Sequence, residues 1–238
     1  MRTFFIGLYY LLYMIIVGLK RIKFRLIRRI RGEEAAFQYT KKVVSTWAER
    51  TIKIMGMDVE ISGRENIPKE ACLFVGNHQS YFDIPIMIYI LNKPIGFVAK
   101  KELAKIPVYR NWILGMKSLF LDRQNVREAI KTINIGIDYL KEGHSLAIFP
   151  EGTRSKSKEM AEFKKGSLKL AIKSQVPVVP VAISGTYKAF EETGRLKKAT
   201  VKVKIDKPIY VKDLSKEEQG SLAEDVKEII FNNLLELQ

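Results

Sequence analysis

From residue 57 onward the chain alternates short apolar runs of strand length with longer segments of helical periodicity, and four of the runs end in a polar cluster. Ala71-Cys72-Leu73-Phe74-Val75-Gly76 leads into Asn77-His78, and Ile95-Gly96-Phe97-Val98-Ala99 into Lys100-Lys101. Ser118-Leu119-Phe120-Leu121 leads into Asp122-Arg123, and Ser145-Leu146-Ala147-Ile148-Phe149 into Pro150-Glu151-Gly152-Thr153-Arg154. Runs this short and this apolar suit strands covered on both faces and joined by crossover helices. The pattern predicts an α/β fold with a single, mainly parallel sheet flanked by helices. Parallel strands end on one edge of the sheet, where open α/β folds place their ligands. The four polar clusters are therefore expected to form one site.

The remaining segments fit that frame. Residues 57–61 alternate as a strand. Residues 126–141 carry Val126, Ala129, Ile130, Ile133, Ile137 and Leu140 on one helical face and stop before Gly143. A helix is expected over 163–175 and a strand over 176–183. Over 200–205 lysines alternate with apolar residues, as on an edge strand. Ser221 with Glu224 reads as a capping box for the last helix. His144 falls where a helix-to-strand turn is expected and reads as structural. The single cysteine, Cys72, rules out a disulfide within the chain and reads as a small buried residue.

The first 56 residues differ in kind. Residues 3–19 contain no charged side chain; as a helix they would extend roughly 25 Å, the short end of what a bilayer core needs. A basic run follows, Lys20-Arg21-Ile22-Lys23-Phe24-Arg25-Leu26-Ile27-Arg28-Arg29-Ile30-Arg31. Residues 1–31 hold eight basic and no acidic residues, more than half of the net +15. Apolar residues at helical spacing among arginines are the pattern of a helix on anionic lipid, and the positive flank points to a body on the cytoplasmic face of the cell membrane. Residues 37–55 read as a second amphipathic helix packing back on the first. Residues 1–56 are thus expected to be a membrane-anchoring helical motif, and 57–238 the α/β domain.

The chemistry centres on Asn77-His78-Gln79-Ser80-Tyr81-Phe82-Asp83. Asp83, five residues after His78, can fold back on the imidazole, hold one ring nitrogen as N–H and leave the other as a base. Lys100, Arg123 and Arg154 are cations able to hold a phosphate, and Gly152-Thr153 offers a tight turn whose backbone N–H groups suit an anion. There is no G-x-S-x-G elbow, no phosphate-binding G-x-x-x-x-G-K-[ST] loop and no G-x-G-x-x-G fingerprint. With one cysteine and two histidines in unrelated turns, a metal site is not expected. A His–Asp pair without a Ser or Cys nucleophile suggests direct activation of a substrate hydroxyl.

These residues carry a resemblance. The 77–83 stretch resembles the H-x-x-x-x-D block of the glycerolipid acyltransferases, the family that acylates lysophosphatidate. Phe149-Pro150-Glu151-Gly152-Thr153-Arg154-Ser155 matches that family's F-P-E-G-T-R-S block in full. Leu119-Phe120-Leu121-Asp122-Arg123 is similar to its second block, and Val176-Pro177-Val178-Val179-Pro180-Val181 to its fourth. One departure is that the second block usually opens with glycine, and Lys117 stands there. The resemblance implies that His78 deprotonates the sn-2 hydroxyl of 1-acylglycerol-3-phosphate for direct attack on an acyl thioester, acyl-CoA or acyl carrier protein, giving phosphatidate. Asp83 would orient His78, while Arg123, Glu151, Gly152 and Arg154 would bind the glycerol phosphate, with Thr153 in the same turn and Lys100 beside them. No further cofactor and no nucleic acid is implied; the partners are membrane lipids and the acyl donor. Rival readings are transfer to glycerol 3-phosphate or another lysophospholipid, a metal-dependent phosphoester hydrolase, and a non-enzymatic membrane or nucleic-acid binder.

Overall fold

In the computed structural model, which describes residues 2–164 and 166–237, the apolar runs form seven strands of one sheet. They are β1 (Met57–Ser62), β2 (Leu73–Gly76), β3 (Ile95–Lys100), β4 (Leu119–Leu121), β5 (Ser145–Ile148), β6 (Val178–Ser184) and β7 (Ala199–Ile205). Their spatial order is β1-β7-β6-β2-β5-β3-β4. The five strands from β6 to β4 are mutually parallel; β7 pairs antiparallel with β6, and β1 parallel with β7. The expected α/β class and mainly parallel sheet are observed, with a reversed pair on one flank. In the central strand β2, Leu73, Phe74 and Val75 are without solvent exposure, because helices cover both sheet faces.

Six helices do the covering: α1 (Arg2–Met55), α2 (Asp83–Leu91), α3 (Pro107–Gly115), α4 (Val126–Lys141), α5 (Lys169–Ser174) and α6 (Lys216–Glu236). One apolar cluster joins α1, α2 and α3 to Phe74, Phe97, Val181 and Val201; the other joins α4, α5 and α6 to Leu73, Val75, Leu146 and Val178. Cys72 is fully buried, and desolvation pushes its thiol up to about 11.

The two helices expected near the N-terminus are one element broken at Gly32, whose φ of +83° lies where only glycine is at ease. The chain folds back there. Residues of the two arms meet in antiparallel order: Tyr10 Oη with Thr51 at 3.3 Å and with Trp47 Nε1 at 3.1 Å, Arg50 over Tyr13, Lys23 over Tyr39, and Arg28 with Glu33 at 2.6 Å. The inner face of the first arm buries Tyr13, Val17 and Phe24. Its outer face exposes Phe4, Leu8, Leu12, Ile15, Leu19, Ile22, Leu26 and Ile30, each by 45% or more. That apolar stripe runs about 40 Å at the helical rise. By length and composition α1 could cross a membrane, and only 11% of its most apolar window is buried.

Four local expectations change. β7 is interior, between β1 and β6, because its alternating lysines mark one solvated face of the sheet and not a sheet edge. The helix expected over 163–175 shrinks to α5; Gly166 has φ +79°, and Lys164 N–H donates to the Pro150 carbonyl at 3.0 Å, drawing the preceding segment across the β5 turn. The capping box forms at Ser215 with Glu218, a turn and a half before the expected one. Ser221 lies inside α6, bonded to the Glu218 carbonyl and to Asp225. His144 lies edge-on to Phe37 and Tyr139, in packing contacts.

Candidate active site

The residues that close β2 through β6 meet at one sheet edge because those five strands run the same way. Asn77, Gln79, Ser80 and Asp83 in the turn after β2 are at most 1% exposed. Polar groups so buried need partners, and each has them. Asn77 bonds both ways with the Ile183 backbone, at 2.9 and 2.8 Å, and Gln79 Oε1 accepts from the Gly185 N–H at 3.0 Å, sewing the turn to β6.

Asp83 is the hub. Its Oδ2 lies 2.7 Å from His78 Nδ1 and accepts the Gln79 and Ser80 N–H groups at 2.7 and 2.8 Å; Oδ1 accepts the Thr186 hydroxyl at 2.5 Å. These bonds offset the cost of a carboxylate with no solvent contact. A carboxylate so surrounded by donors is an acceptor throughout, so in the neutral imidazole the proton sits on His78 Nδ1 and the lone pair on Nε2. Phe149 stacks on the imidazole at 4.3 Å and 13°, covering one ring face. The His78 side chain is 16% exposed.

Glu151 enters from the β5 turn. One oxygen accepts the His78 N–H at 2.6 Å and the other the Ala161 N–H at 3.0 Å. Burial raises its pKa, and these two amides offset only part of the rise. Both oxygens are engaged with backbone, so the side chain clamps the His78 turn to the 150s loop, and a carboxylate is the wrong charge for a phosphate contact. Ser155 N–H donating to the His78 carbonyl at 2.8 Å completes the clamp. Gly152 has φ +73°, and a Cβ there would lie 2.9 Å from Lys164 Cε.

The expected cations take different positions. Arg123 donates through Nη1 to the Gly152 carbonyl, joining the β4 end to the β5 turn. Arg154 packs its guanidinium over the Tyr81 ring at 3.3 Å and meets Glu191 at 3.0 Å. Lys100 pairs with Glu102 at 3.2 Å and stands largely exposed; Lys101, its neighbour, pairs with Asp122 at 2.7 Å. Thr153 is exposed, with no side-chain hydrogen bond among the described residues. His78, Asp83, Glu151, Gly152, Arg123 and Arg154 are thus linked in one network, and Lys100 lies at its margin. Thr186 and Glu191 belong to it too, although their local sequence carries no signal; they arrive through the pairing of β6 with β2.

A family model described as Acyltransferase matches residues 58–184. Similar proteins include a 1-acyl-sn-glycerol-3-phosphate acyltransferase of Saccharomyces cerevisiae, 35% identical over 77% of this chain and 62% of that protein. A protein of the same name from Borreliella burgdorferi is 31% identical over 76% and 73% of the two chains. A probable 1-acyl-sn-glycerol-3-phosphate acyltransferase of Mycoplasma genitalium is 31% identical over 83% and 76%. The match to the yeast protein and that to a Mycoplasma pneumoniae relative span under two thirds of those proteins' lengths, 62% and 63%. The crystal structure of the lysophosphatidate acyltransferase of Thermotoga maritima superposes with a TM-score of 0.86 at 32% identity, covering 100% of this chain and 98% of that one.

Proposed function

We propose, from the premise that this chain belongs to the acyltransferase family, that it transfers a fatty acyl group from an acyl thioester to the sn-2 hydroxyl of 1-acylglycerol-3-phosphate, giving phosphatidate. The observation that carries the reading is the 2.7 Å contact of His78 Nδ1 with the buried Asp83, which leaves Nε2 as a base at the sheet edge. Nε2 takes the hydroxyl proton as the oxygen attacks the thioester carbonyl. The tetrahedral intermediate collapses, the C–S bond breaks, and Nε2–H returns the proton to the departing thiolate. Asp83 holds the tautomer and stabilises the imidazolium formed in between. Arg123 and Arg154 supply positive charge for the acceptor's phosphate, with Lys100 as an outer contact.

The acceptor and product are amphiphiles, and the exposed stripe of α1 fits that need. Packing of Tyr13, Val17 and Phe24 on the inner face supports a first arm lying in one leaflet, with its basic residues at the headgroups of the cytoplasmic face. Acyl-CoA and acyl carrier protein both present the thioester that the mechanism requires. The test is phosphatidate formation from lysophosphatidate in vesicles, with each donor, comparing wild type with His78→Ala. We expect product from wild type and a loss of about 10²–10⁴-fold or more in the folded variant. Equal turnover in the variant would sink the mechanism, and no product with either donor would sink the substrate assignment.

A further inference from the structure

Glu191 lies in the loop between β6 and β7, among residues that read as solvated surface, yet its side chain is only 3% exposed. Its oxygens take up three donors. Oε2 accepts the Ser80 hydroxyl at 2.7 Å; Oε1 accepts the Tyr81 N–H at 2.9 Å and Arg154 Nη1 at 3.0 Å. Arg154 is in turn four-fifths covered, its guanidinium lying over the Tyr81 ring at 3.3 Å. Three contacts from one carboxylate therefore tie the turn between His78 and Asp83 to the arginine of the β5 loop.

This arrangement fixes the plane of the guanidinium from two sides. The ring holds one face, and the carboxylate holds the Nη1 end. Among the described residues Arg154 makes no other hydrogen bond, so Nε and Nη2 keep donors for a ligand. Arg154 is also placed next to the base, since the following residue, Ser155, bonds the His78 carbonyl at 2.8 Å. A free arginine would pay side-chain entropy each time it met a phosphate. An arginine already held in place binds the acceptor at lower cost.

We propose that Glu191 is a positioning residue that pre-orients Arg154 for the phosphate of the acceptor. The proposal rests on the acyltransferase reading above and adds to it a residue and a division of labour. Glu191 sets how well the phosphate is held, and Asp83 sets how well the proton is moved.

The test compares wild type, Glu191→Gln and Arg154→Lys. Gln keeps the size of the side chain and one acceptor oxygen but removes the charge facing Arg154. In Glu191→Gln we expect the KM for lysophosphatidate to rise about 10- to 100-fold, the scale of one hydrogen bond to a charged group. The kcat and the KM for the acyl thioester should stay within about twofold, because the His78–Asp83 bonds are untouched. Arg154→Lys should raise the same KM, and adding Glu191→Gln to it should raise it little further, since both act through one guanidinium. A merely structural Glu191 would instead lower kcat and alter both KM values together with the unfolding temperature; that result, or an unchanged acceptor KM, overturns the proposal. Stabilisation against heat by glycerol 3-phosphate gives a readout apart from turnover. A shift in wild type that Glu191→Gln loses supports the assignment even if no acyl transfer is found, and an equal shift in both overturns it.

Discussion

The turn after β2 and the first arm of α1 invert the usual distribution of polar and apolar groups in opposite ways. The turn hides Asn77, Gln79, Ser80 and Asp83 from water, while the arm presents Phe4, Leu12, Ile15 and Ile30 to it. Hiding polar groups is tolerable because each has a partner within the protein, most of them on β6 and the loop beyond it. Exposing the apolar stripe is tolerable only if something other than water covers it. One region is complete within the chain; the other is completed by its surroundings. Chemistry needs the first condition, since a base and its orienting carboxylate must not drift. Access to the proposed lipid acceptor needs the second.

Removing the charge of Asp83 tests the completeness of the turn most severely. Asp83→Asn keeps the shape but puts an amide N–H₂ among donors and lets Nδ1 become the acceptor. We expect initial rates of phosphatidate formation to fall about 10⁴-fold, the scale on which an orienting aspartate acts. A folded variant within tenfold of wild type would mean that the dyad is not the base. On the arm, Ile15→Ser with Leu19→Ser removes two side chains of the exposed stripe, about 1.5–3 kcal/mol each if fully buried in lipid. Sedimentation with anionic vesicles should weaken about 100-fold or more, while the unfolding temperature in detergent stays put. Undiminished vesicle binding would show that the stripe is not the lipid face.

A subtler test concerns the clamp. Glu151→Gln leaves only one acceptor for two N–H groups and should cost about 1–3 kcal/mol in denaturant unfolding. The pH dependence has a sign. The folded pKa of Glu151 is raised by burial, so its contribution to stability is fully present below the unfolded pKa and is lost as pH rises through the folded one. The stability advantage of wild type over Glu151→Gln should therefore shrink as pH rises through that range. An advantage that grew would reverse the assignment of burial as the dominant cause. Smallest is the effect at Lys117, which holds φ +57° where the resemblance expects glycine. Lys117→Gly should stabilise the fold by about 0.5–1 kcal/mol, the left-handed cost less glycine's extra chain entropy. A loss of stability would show that the Lys117 ammonium, 5.0 Å over the Tyr139 ring, outweighs the strain.

Much of the sheet edge was legible because its signals are local. A strand-length run ending in His78 with Asp83 five residues on, or in Glu151-Gly152-Thr153-Arg154, needs only its own neighbours to be read. Thr186 and Glu191 gave no such signal. They meet Asp83 and Arg154 only through the pairing of β6 with β2, and a glutamate beside Glu192 reads as surface. The two candidate capping serines show the same limit. Ser215 and Ser221 each have a glutamate three residues on, and the choice between them is made by where Leu222, Val226 and Ile230 must face the sheet. Glu151 was legible as part of the site but not in its role, because nothing local shows that both oxygens face backbone amides.

The contact of the Thr3 hydroxyl with the Leu196 N–H, at 3.2 Å, has a consequence in time. The two residues are 193 apart in sequence, and at typical synthesis rates the second follows the first by about 10–40 s. During that interval the apolar arm is already made while the loop that carries Thr186 and Glu191 does not yet exist. The arm, with its exposed apolar stripe, is therefore made before the loop it contacts through Leu196. On the proposed membrane reading, attachment to the bilayer precedes assembly of the sheet edge, and the site forms on a chain already anchored.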